Sequence, residues 1–412
     1  MPKKTRDVDR DARGLVGGAQ RMVREALEDK AQYEQIIKTT GDKAQKWLNM
    51  LQLIAEQPTI TPKRRYSILK MTLRLSKHSG RCPTCLVIEN VEKQGKRVGG
   101  GGFGDVWKGK IGEDIVCLKV IKVFFGCDVK KLTKDYMREA IVWKHLSHPH
   151  LLPFLGMYYL DNDREELCLV SPWMDKGDLV RYLKETPREE VDHLSLAHDV
   201  AAGLSYLHGE EIVHGDLKGV NVLIKADGSA CIGDFGLSRV AENHTTQHST
   251  STTHPKGTMR WLSPELLDPD PSSTGTTTSK TSDVYAYGCV CYEIFTGNVP
   301  FHQLRDPAVI LAVIVRKEHP DRPVDVPELT DAMWELMVSC WRHDQHLRPS
   351  SADVLARIGV WKGSKKVVAE IWSNAKYPPT DPVMFTPPFI RRSAPAGLGR
   401  APSPDLPLGS LM

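Results

Sequence analysis

Asp216, Asn221 and Asp234 are three oxygen-bearing side chains that stand close together in this 412-residue chain. The first two lie in the segment HGDLKGVN at 214–221, and the third begins the triplet DFG at 234–236. Carboxylate and amide oxygens suit Mg²⁺, a hard cation that bridges phosphate groups. A carboxylate can also accept the proton of a hydroxyl group that attacks a phosphorus atom. By themselves these residues mean little, so a prediction of phosphoryl transfer from a nucleotide triphosphate to a hydroxyl group depends on the segments that accompany them.

A glycine-rich segment, GGGGFGDV at 99–106, lies upstream and fits the spacing G-x-G-x-x-G-x-V. Glycine lets the backbone approach phosphate groups and adopt dihedral angles that are closed to other residues. A dinucleotide-binding fold would need a helix after the last glycine. Residues 105–109 and 115–120 instead have the pattern of two strands. The segment is therefore predicted to be a phosphate-binding hairpin.

Lys119 lies in the predicted third strand, among the alternating apolar residues Val116, Leu118 and Val120. A plain surface lysine is the alternative interpretation. The alternation on both sides of Lys119 makes that alternative the weaker one. We therefore expect Lys119 to have a role other than that of a plain surface lysine.

The three segments, in this order and at these distances, resemble the eukaryotic protein kinase family. The resemblance runs from about residue 91 to about residue 360. The segment LVSPWM at 169–174, Trp261, and the pair CW shortly before Arg348 resemble the tyrosine-kinase-like branch, whose members phosphorylate serine or threonine. The resemblance implies an α+β, two-lobed fold with a small β-rich N-lobe and a larger, mostly helical C-lobe.

The resemblance also implies catalytic roles. Asp216 would accept the proton of the substrate hydroxyl, Lys218 would neutralise the γ-phosphate, and Asn221 and Asp234 would bind Mg²⁺. A lysine at position 218 resembles serine/threonine kinases, since tyrosine kinases usually carry alanine or arginine nearby. The expected nucleotide is ATP.

Lys119 would pair with the α and β phosphates and with Glu139, which lies on a helix predicted from Thr133 to Leu146. Glu139 stands ten residues before Pro149, as the corresponding residue does in family helices. The resemblance places the nucleotide against eleven residues of the N-lobe, the hinge and the loop that follows the catalytic segment. These are Val98, Gly99, Gly101, Gly104, Val106, Cys117, Lys119, Ser171, Pro172, Met174 and Leu223.

The segment LVSPWMDKGDL at 169–179 matches the hinge between the lobes, with the small Ser171 in the gatekeeper position. Pro172 has no N–H to donate. Family hinges use only the carbonyl group at that position, so the Met174 amide is the expected donor to adenine. Pro172 is therefore compatible with nucleotide binding, and it stiffens the hinge.

Gly215 departs from the family pattern, because an arginine usually precedes the catalytic aspartate. That arginine normally pairs with a phosphorylated activation loop, so its loss removes the main receptor for such a phosphate. We therefore expect activity to depend only weakly on phosphorylation of the hydroxyl residues that crowd this loop. They are Thr245, Thr246, Ser249, Thr250, Ser251, Thr252 and Thr253.

Further polar residues are expected to support the site rather than to react. The resemblance pairs Glu265 with Arg348 and directs Asp283 to the backbone of the catalytic loop. It also directs Thr258 toward Asp216 and Lys218, as in serine/threonine kinases.

Three regions lie outside the predicted kinase domain at 91–360. Residues 1–15 and the proline-rich tail at 365–412 are predicted to be disordered. Residues 16–80 carry three helical patterns and form a predicted N-terminal helical extension, in which Thr61 caps the last helix and Pro62 begins it. The extension could dock on the kinase domain, bind a protein partner or dimerise, and the sequence does not choose among these.

Composition narrows the class of protein. The 41% hydrophobic and 26% charged residues are ordinary for a globular protein, and no run approaches the roughly 18 apolar residues of a membrane span. An odd number of scattered cysteines and no signal peptide lead us to expect a cytoplasmic, or else nuclear, protein. CPTC at 82–85 is read as a turn, because a zinc site would need a second pair of ligands. The basic excess over residues 1–98 leaves an anionic partner open, but no nucleic-acid site is evident.

The sequence thus predicts an ATP- and Mg²⁺-dependent kinase that phosphorylates serine or threonine hydroxyls of protein substrates in intracellular signalling. A pseudokinase or scaffold is one alternative, and it would be expected to lack Lys119, Asp216 or Asp234, all of which are present. Dual or tyrosine specificity is the second alternative.

Overall fold

The computed structural model describes residues 17–101, 104–120, 129–160, 167–235, 239–240, 258–268 and 277–374. The activation-loop hydroxyls at 245–253, Gly236, the two residues in the middle of the glycine loop, the predicted disordered region at 1–15, and residues 375–412 of the predicted disordered tail at 365–412 lie outside these ranges. Residues 365–374 of that predicted tail are helical instead. The chain divides into two compact units, Met1–Gly363 and Ser364–Met412. Of the second unit, the described part is the end of the last helix.

Four helices form an N-terminal bundle, defined here as residues 17–79. They are α1 (17–28), α2 (Lys30–Ile37), α3 (Gly41–Ala55) and α4 (Pro62–Ser79). The first of the three predicted patterns is split, because the Asp29 side chain accepts the N–H groups of the first turn of α2 and begins a new helix there. Thr61 caps α4, and Pro62 opens it, as predicted.

The N-lobe is built on a five-stranded antiparallel sheet in the order β1-β2-β3-β5-β4. Val116, Leu118 and Val120 are buried on one face of it, together with Val91 and Val170. One helix, α5, packs beside the sheet. The elements are β1 (Glu92–Gly101), β2 (Gly104–Ile111), β3 (Asp114–Val120), α5 (Val129–Lys144), β4 (Gly156–Tyr159) and β5 (Leu167–Pro172).

Helices dominate the C-lobe, and one of them, α9, is buried at every residue from Ser282 to Phe295. Ser279 and Ser282 form a capping box at its start, and Gly297 ends it in the left-handed conformation with a φ of 70°. The helices are α6 (Leu179–Glu185), α7 (His193–Gly209), α8 (Pro264–Leu267), α9 (Lys280–Thr296), α10 (Asp306–Ile310), α11 (Asp331–Cys340) and α12 (Ser351–Asn374). The short strands are β6 (Ile212–Val213), β7 (Val222–Ile224), β8 (Ala230–Ile232) and β9 (Arg239–Val240).

The predicted fold class is confirmed: a β-rich N-lobe precedes a larger helical C-lobe, and helices precede both. No described helix is long and apolar enough to cross a membrane.

The segment between the bundle and β1 joins the edge of the sheet. Ile88 donates its N–H to the Met157 carbonyl at 2.9 Å, and Val87 pairs with Met157 in a parallel bridge. Gly156 makes room for this segment, since a Cβ there would lie 2.5 Å from Ile88 Cγ2. The bundle is therefore attached to the N-lobe through the edge strand β4, which this segment covers.

The predicted pair between Glu265 and Arg348 is confirmed. The two terminal guanidinium nitrogens of Arg348, Nη1 and Nη2, each donate to one carboxylate oxygen of Glu265 at 2.7 Å. Burial would raise the pKa of Glu265, but the hydrogen bonds and charge of Arg348 lower it overall. This pair ties the segment after the activation loop to the base of the C-lobe.

Candidate active site

The N-lobe sheet gathers the glycine loop and the lysine on one face. Gly99 lies opposite Val106, and Val106 lies opposite Lys119. Directly opposed residues point to the same side of a sheet. Val116 and Leu118 are buried on the other side, so Lys119 and the loop face the cleft between the lobes.

Cys117 and Ser171 form the next row on the cleft face. They are paired across β3 and β5, and their side chains form a hydrogen bond. Burial raises the pKa of the Cys117 thiol, so the thiol is neutral near pH 7. This row gives the predicted adenine site a neutral thiol beside a small gatekeeper.

The other predicted nucleotide contacts lie around this face. Val98 is 51% exposed on β1, and the half-buried Leu223 on β7 lies across an isolated bridge from Asp178, at the start of α6. Gly101 and Gly104 close the β1–β2 hairpin as opposed residues. Their contact with a nucleotide stays a prediction.

The hinge follows β5 directly. Pro172 is the last residue of that strand, where it pairs with Val116. Its missing N–H therefore falls at the end of the hydrogen-bond ladder and does not interrupt it. Met174 comes two residues later and packs on the main core. Within the described part of the chain, no backbone hydrogen bond engages the Met174 N–H, which fits its predicted role as a donor to adenine.

Lys119 joins two carboxylates from different elements. Its Nζ atom lies 2.7 Å from Asp234 Oδ1 and 3.2 Å from Glu139 Oε1. Burial alone would lower the pKa of the ammonium group, but the two carboxylates raise it well above its usual range. Burial raises the pKa of Glu139, although the charge of Lys119 opposes this shift. Lys119 therefore stays protonated and holds β3, α5 and the start of the DFG triplet together.

The DFG segment is anchored by its phenylalanine. Phe235 is fully buried, with its ring 5.4 Å from Trp143 of α5 and 5.7 Å from His214. Asp234 has a φ of 60°, in the left-handed region that non-glycine residues occupy rarely and aspartate tolerates best. The buried ring and the ion pair to Lys119 together keep Asp234 in this conformation.

The catalytic loop brings together the other predicted residues. Lys218 Nζ lies 2.7 Å from Asp216 Oδ2 and 2.9 Å from Thr258 Oγ1. Asn221 Nδ2 donates to the Asp216 carbonyl at 2.8 Å and to Oδ2 at 3.1 Å. Thr258 was expected near Asp216 and Lys218. It accepts a hydrogen bond directly from Lys218, and Lys218 also donates to Asp216.

Asp216 keeps one carboxylate oxygen available. Oδ1 is buried, and it accepts no hydrogen bond from any residue that the structure describes. A buried polar atom without a protein partner is costly, and catalytic roles and bound water or ions are among the explanations for such atoms. A donor of the substrate, such as a hydroxyl group, would satisfy this atom.

Asp283, near the start of α9, holds the loop backbone as predicted. Its Oδ2 accepts the His214 N–H at 2.8 Å, and its Oδ1 accepts the Gly215 N–H at 2.9 Å. His208 contributes a further bond to Asp283 at 3.0 Å. Gly215 has a φ of 81°, a conformation that suits glycine, so the departure from the family pattern also removes backbone strain here.

Glu293 is a loop-supporting residue that the sequence reasoning missed. Its Oε1 accepts the Gly219 N–H at 2.9 Å and the Trp261 Nε1–H at 2.6 Å. A Cβ on Gly219 would lie 2.4 Å from Glu293 Oε2, so this approach requires glycine. The signal in the sequence was a single carboxylate inside the apolar run at 284–295. Glu293 joins the catalytic loop to the segment after the activation loop.

The donor set fits Mg²⁺. Because Asn221 Nδ2 donates to Asp216, its carbonyl oxygen is the end that faces away from that residue. Together with the Asp234 carboxylate it supplies hard oxygen ligands. No cluster of three or more His, Cys, Asp or Glu residues that could hold a metal by itself occurs among the described residues. Two oxygen ligands therefore suit an ion that is shared with nucleotide phosphates.

Comparison with known proteins agrees with this geometry. The family model described as protein tyrosine and serine/threonine kinase matches residues 92–358. The chain belongs to this protein kinase family.

Two curated relatives are plant proteins from Arabidopsis thaliana. The chain is 31% identical over 272 residues to the probable serine/threonine-protein kinase SIS8, and this alignment covers 64% of this chain and 24% of that protein. It is 31% identical over 267 residues to the serine/threonine-protein kinase CTR1, and this alignment covers 63% of this chain and 30% of that protein. The aligned part thus spans less than a third of each relative.

Glu293 generates a pH-dependent prediction. Burial raises its pKa to about 7, although the bonds from Trp261 and Gly219 act in the opposite direction. The folded state then binds this proton more tightly than the unfolded state, so stability falls as pH rises from about 4.5 to about 7. We expect Glu293→Gln to remove about 3 kcal/mol of this pH dependence, measured as Tm against pH.

The control for this experiment is Glu335→Gln, which changes an exposed carboxylate on α11. Its Tm profile should run parallel to that of the unmodified chain. If the Tm profile of Glu293→Gln also ran parallel to that of the unmodified chain, this would contradict the raised pKa of Glu293.

Proposed function

We propose that this chain is a Mg²⁺- and ATP-dependent kinase that phosphorylates serine and threonine hydroxyls of protein substrates. The observation that carries this proposal is the buried Asp216 Oδ1 atom, which accepts no hydrogen bond from the described residues, beside Lys218 and Asn221. Family membership supports the reaction class. The two relatives that are named as serine/threonine kinases support the acceptor.

The reaction forms a bond between the acceptor oxygen and the γ-phosphorus and breaks the bond between that phosphorus and the β,γ-bridging oxygen. Asp216 Oδ1 accepts the hydroxyl proton, and ADP leaves with the bridging oxygen. Lys119 and the glycine-loop amides hold the phosphates in place, while Lys218 balances the charge on the transferred group. Mg²⁺, held by Asn221 and Asp234, would neutralise phosphate charge.

Loss of Asp216 provides the test of catalysis. Asp216→Asn keeps the size of the side chain but removes its ability to accept the proton, so phosphate transfer should fall by about 10² to 10⁴-fold. The measurement is transfer of labelled γ-phosphate from ATP to a generic protein substrate, with ATP binding measured in parallel. ATP affinity should change little, because Asp216 does not contact the nucleotide in this proposal.

Asp227→Asn is the matched control, since it changes an exposed aspartate of the same lobe that accepts hydrogen bonds from nearby Ser229. This control should transfer phosphate at the unmodified rate. A chain that binds ATP but shows the same low transfer with and without Asp216 would instead be a pseudokinase.

Serine/threonine specificity is supported by the bond between Lys218 and Thr258 at 2.9 Å beside Asp216, which resembles the arrangement in serine/threonine kinases. We expect phosphoamino-acid analysis of substrates phosphorylated by the purified chain to yield phosphoserine and phosphothreonine. Peptide pairs that differ only in Ser, Thr or Tyr at the acceptor position provide the control for sequence context. Phosphotyrosine as the main product would contradict this assignment and favour the tyrosine-specific alternative.

A further inference from the structure

Helix α4 of the bundle has two apolar faces with different partners. Ile68, Met71 and Leu75 lie in the core of the bundle. Leu69, which is 2% exposed, lies instead in the main core with residues of α5, and Leu73 packs against the same core one turn later. Residues four apart share one face of a helix. One side of α4 therefore packs against α5.

Helix α5 is the element that carries Glu139 and Trp143 to the nucleotide site. Glu139 pairs with Lys119, and Trp143 contacts Phe235, as described above. Because α4 covers one side of this helix and the site lies on another, α5 cannot turn without opening a packed interface. Packed interiors change between discrete arrangements rather than deform smoothly.

Arg65 connects the same helix α4 to the C-lobe. Its guanidinium donates to the carbonyls of Ala55 and Ile60 inside the bundle at 3.2 and 3.3 Å. Its Nη1 atom also lies 3.1 and 3.3 Å from the two carboxylate oxygens of Glu210, the C-cap residue of α7. The two side chains are 23% and 12% exposed, so solvent screens this pair only partly. A planar guanidinium can make all of these bonds at once, which a lysine cannot do.

The bundle is thus attached at three places: to α5 through Leu69, to the C-lobe through Arg65, and to the β4 edge through Ile88. A further pair between Lys144 and Glu56, at 3.7 Å, is half exposed and adds little. Attachments to both lobes and to α5 restrict the position of α5 relative to β3, where Lys119 lies.

We propose that the N-terminal bundle holds α5 in the orientation in which Glu139 pairs with Lys119, and that Arg65 and Leu69 are positioning residues for the nucleotide site. This inference rests on the proposed kinase function. Neither residue touches a reacting atom. Their effect passes through α5 to the ion pair that orients the phosphates.

The test uses the full chain with Arg65→Ala, and Arg64→Ala as the matched control. Arg64 is the neighbouring residue, and its exposed pair with Glu28 lies within the bundle. We expect Arg65→Ala to raise the KM for ATP and lower kcat/KM by about 5- to 50-fold, with Arg64→Ala close to the unmodified chain. A fall in kcat with an unchanged KM would reflect only loss of folded enzyme and would overturn the inference, as would equal behaviour of the two variants.

A second comparison tests the route of the effect. Leu69→Ala and Arg65→Ala are each combined with Glu139→Gln, and Tm is recorded for every variant. If both residues act through Glu139, neither causes a further loss of kcat/KM in the Glu139→Gln background. An undiminished loss there would overturn the inference. Absence of phosphate transfer by the unmodified chain would instead refute the proposed function itself.

Discussion

A single ammonium group, that of Lys119, holds the catalytic cleft in order. It neutralises the buried carboxylate of Glu139 on α5 and the half-buried carboxylate of Asp234 in the DFG segment, and without it these two negative charges would face each other. Breaking such a pair leaves an uncompensated charge and costs several kcal/mol. This contact joins β3, α5 and the start of the DFG segment at the cleft-facing side of the N-lobe sheet.

In the C-lobe, buried carboxylates are paired with backbone N–H groups instead of with an ammonium group. Helix α9 is almost wholly buried, and yet it carries Asp283 and Glu293, whose oxygens accept N–H groups of the catalytic loop. These bonds offset part of the cost of burying the two carboxylates. The loop can therefore hold Asp216 with an oxygen that accepts no hydrogen bond from the described residues, because the loop backbone is fixed by α9. Preorganised polar groups of this kind are the main source of electrostatic catalysis.

Much of the fold and site was predictable because the motifs are local. The glycine loop, Lys119 in a strand, and the Asp216–Asn221 spacing each depend on a few neighbouring residues. The partner of Lys119 was predictable only through the family resemblance, and the structure adds Asp234 as a closer partner. Glu293 was missed, because its role depends on Gly219 and Trp261, which are distant in sequence.

The position of the N-terminal bundle also could not be derived from the sequence. Ile68 and Leu69 are both apolar residues of a helical pattern, but the pattern does not show that they face different partners. That distinction depends on tertiary packing, as does the bond of Arg65 to Glu210, which lies 145 residues away. The structure shows contacts between the bundle and the kinase domain, whereas partner binding and dimerisation stay predictions.

The most direct test of this account is the rate of γ-phosphate transfer by Lys119→Met, compared with Lys110→Met. Lys110 lies on the neighbouring strand and pairs with the exposed Glu113. The account predicts that Lys119→Met transfers phosphate at least about 100-fold more slowly than the unmodified chain, whereas Lys110→Met is unaffected. An unchanged rate in Lys119→Met would contradict it, because phosphate would then be positioned without the contact on which the cleft depends.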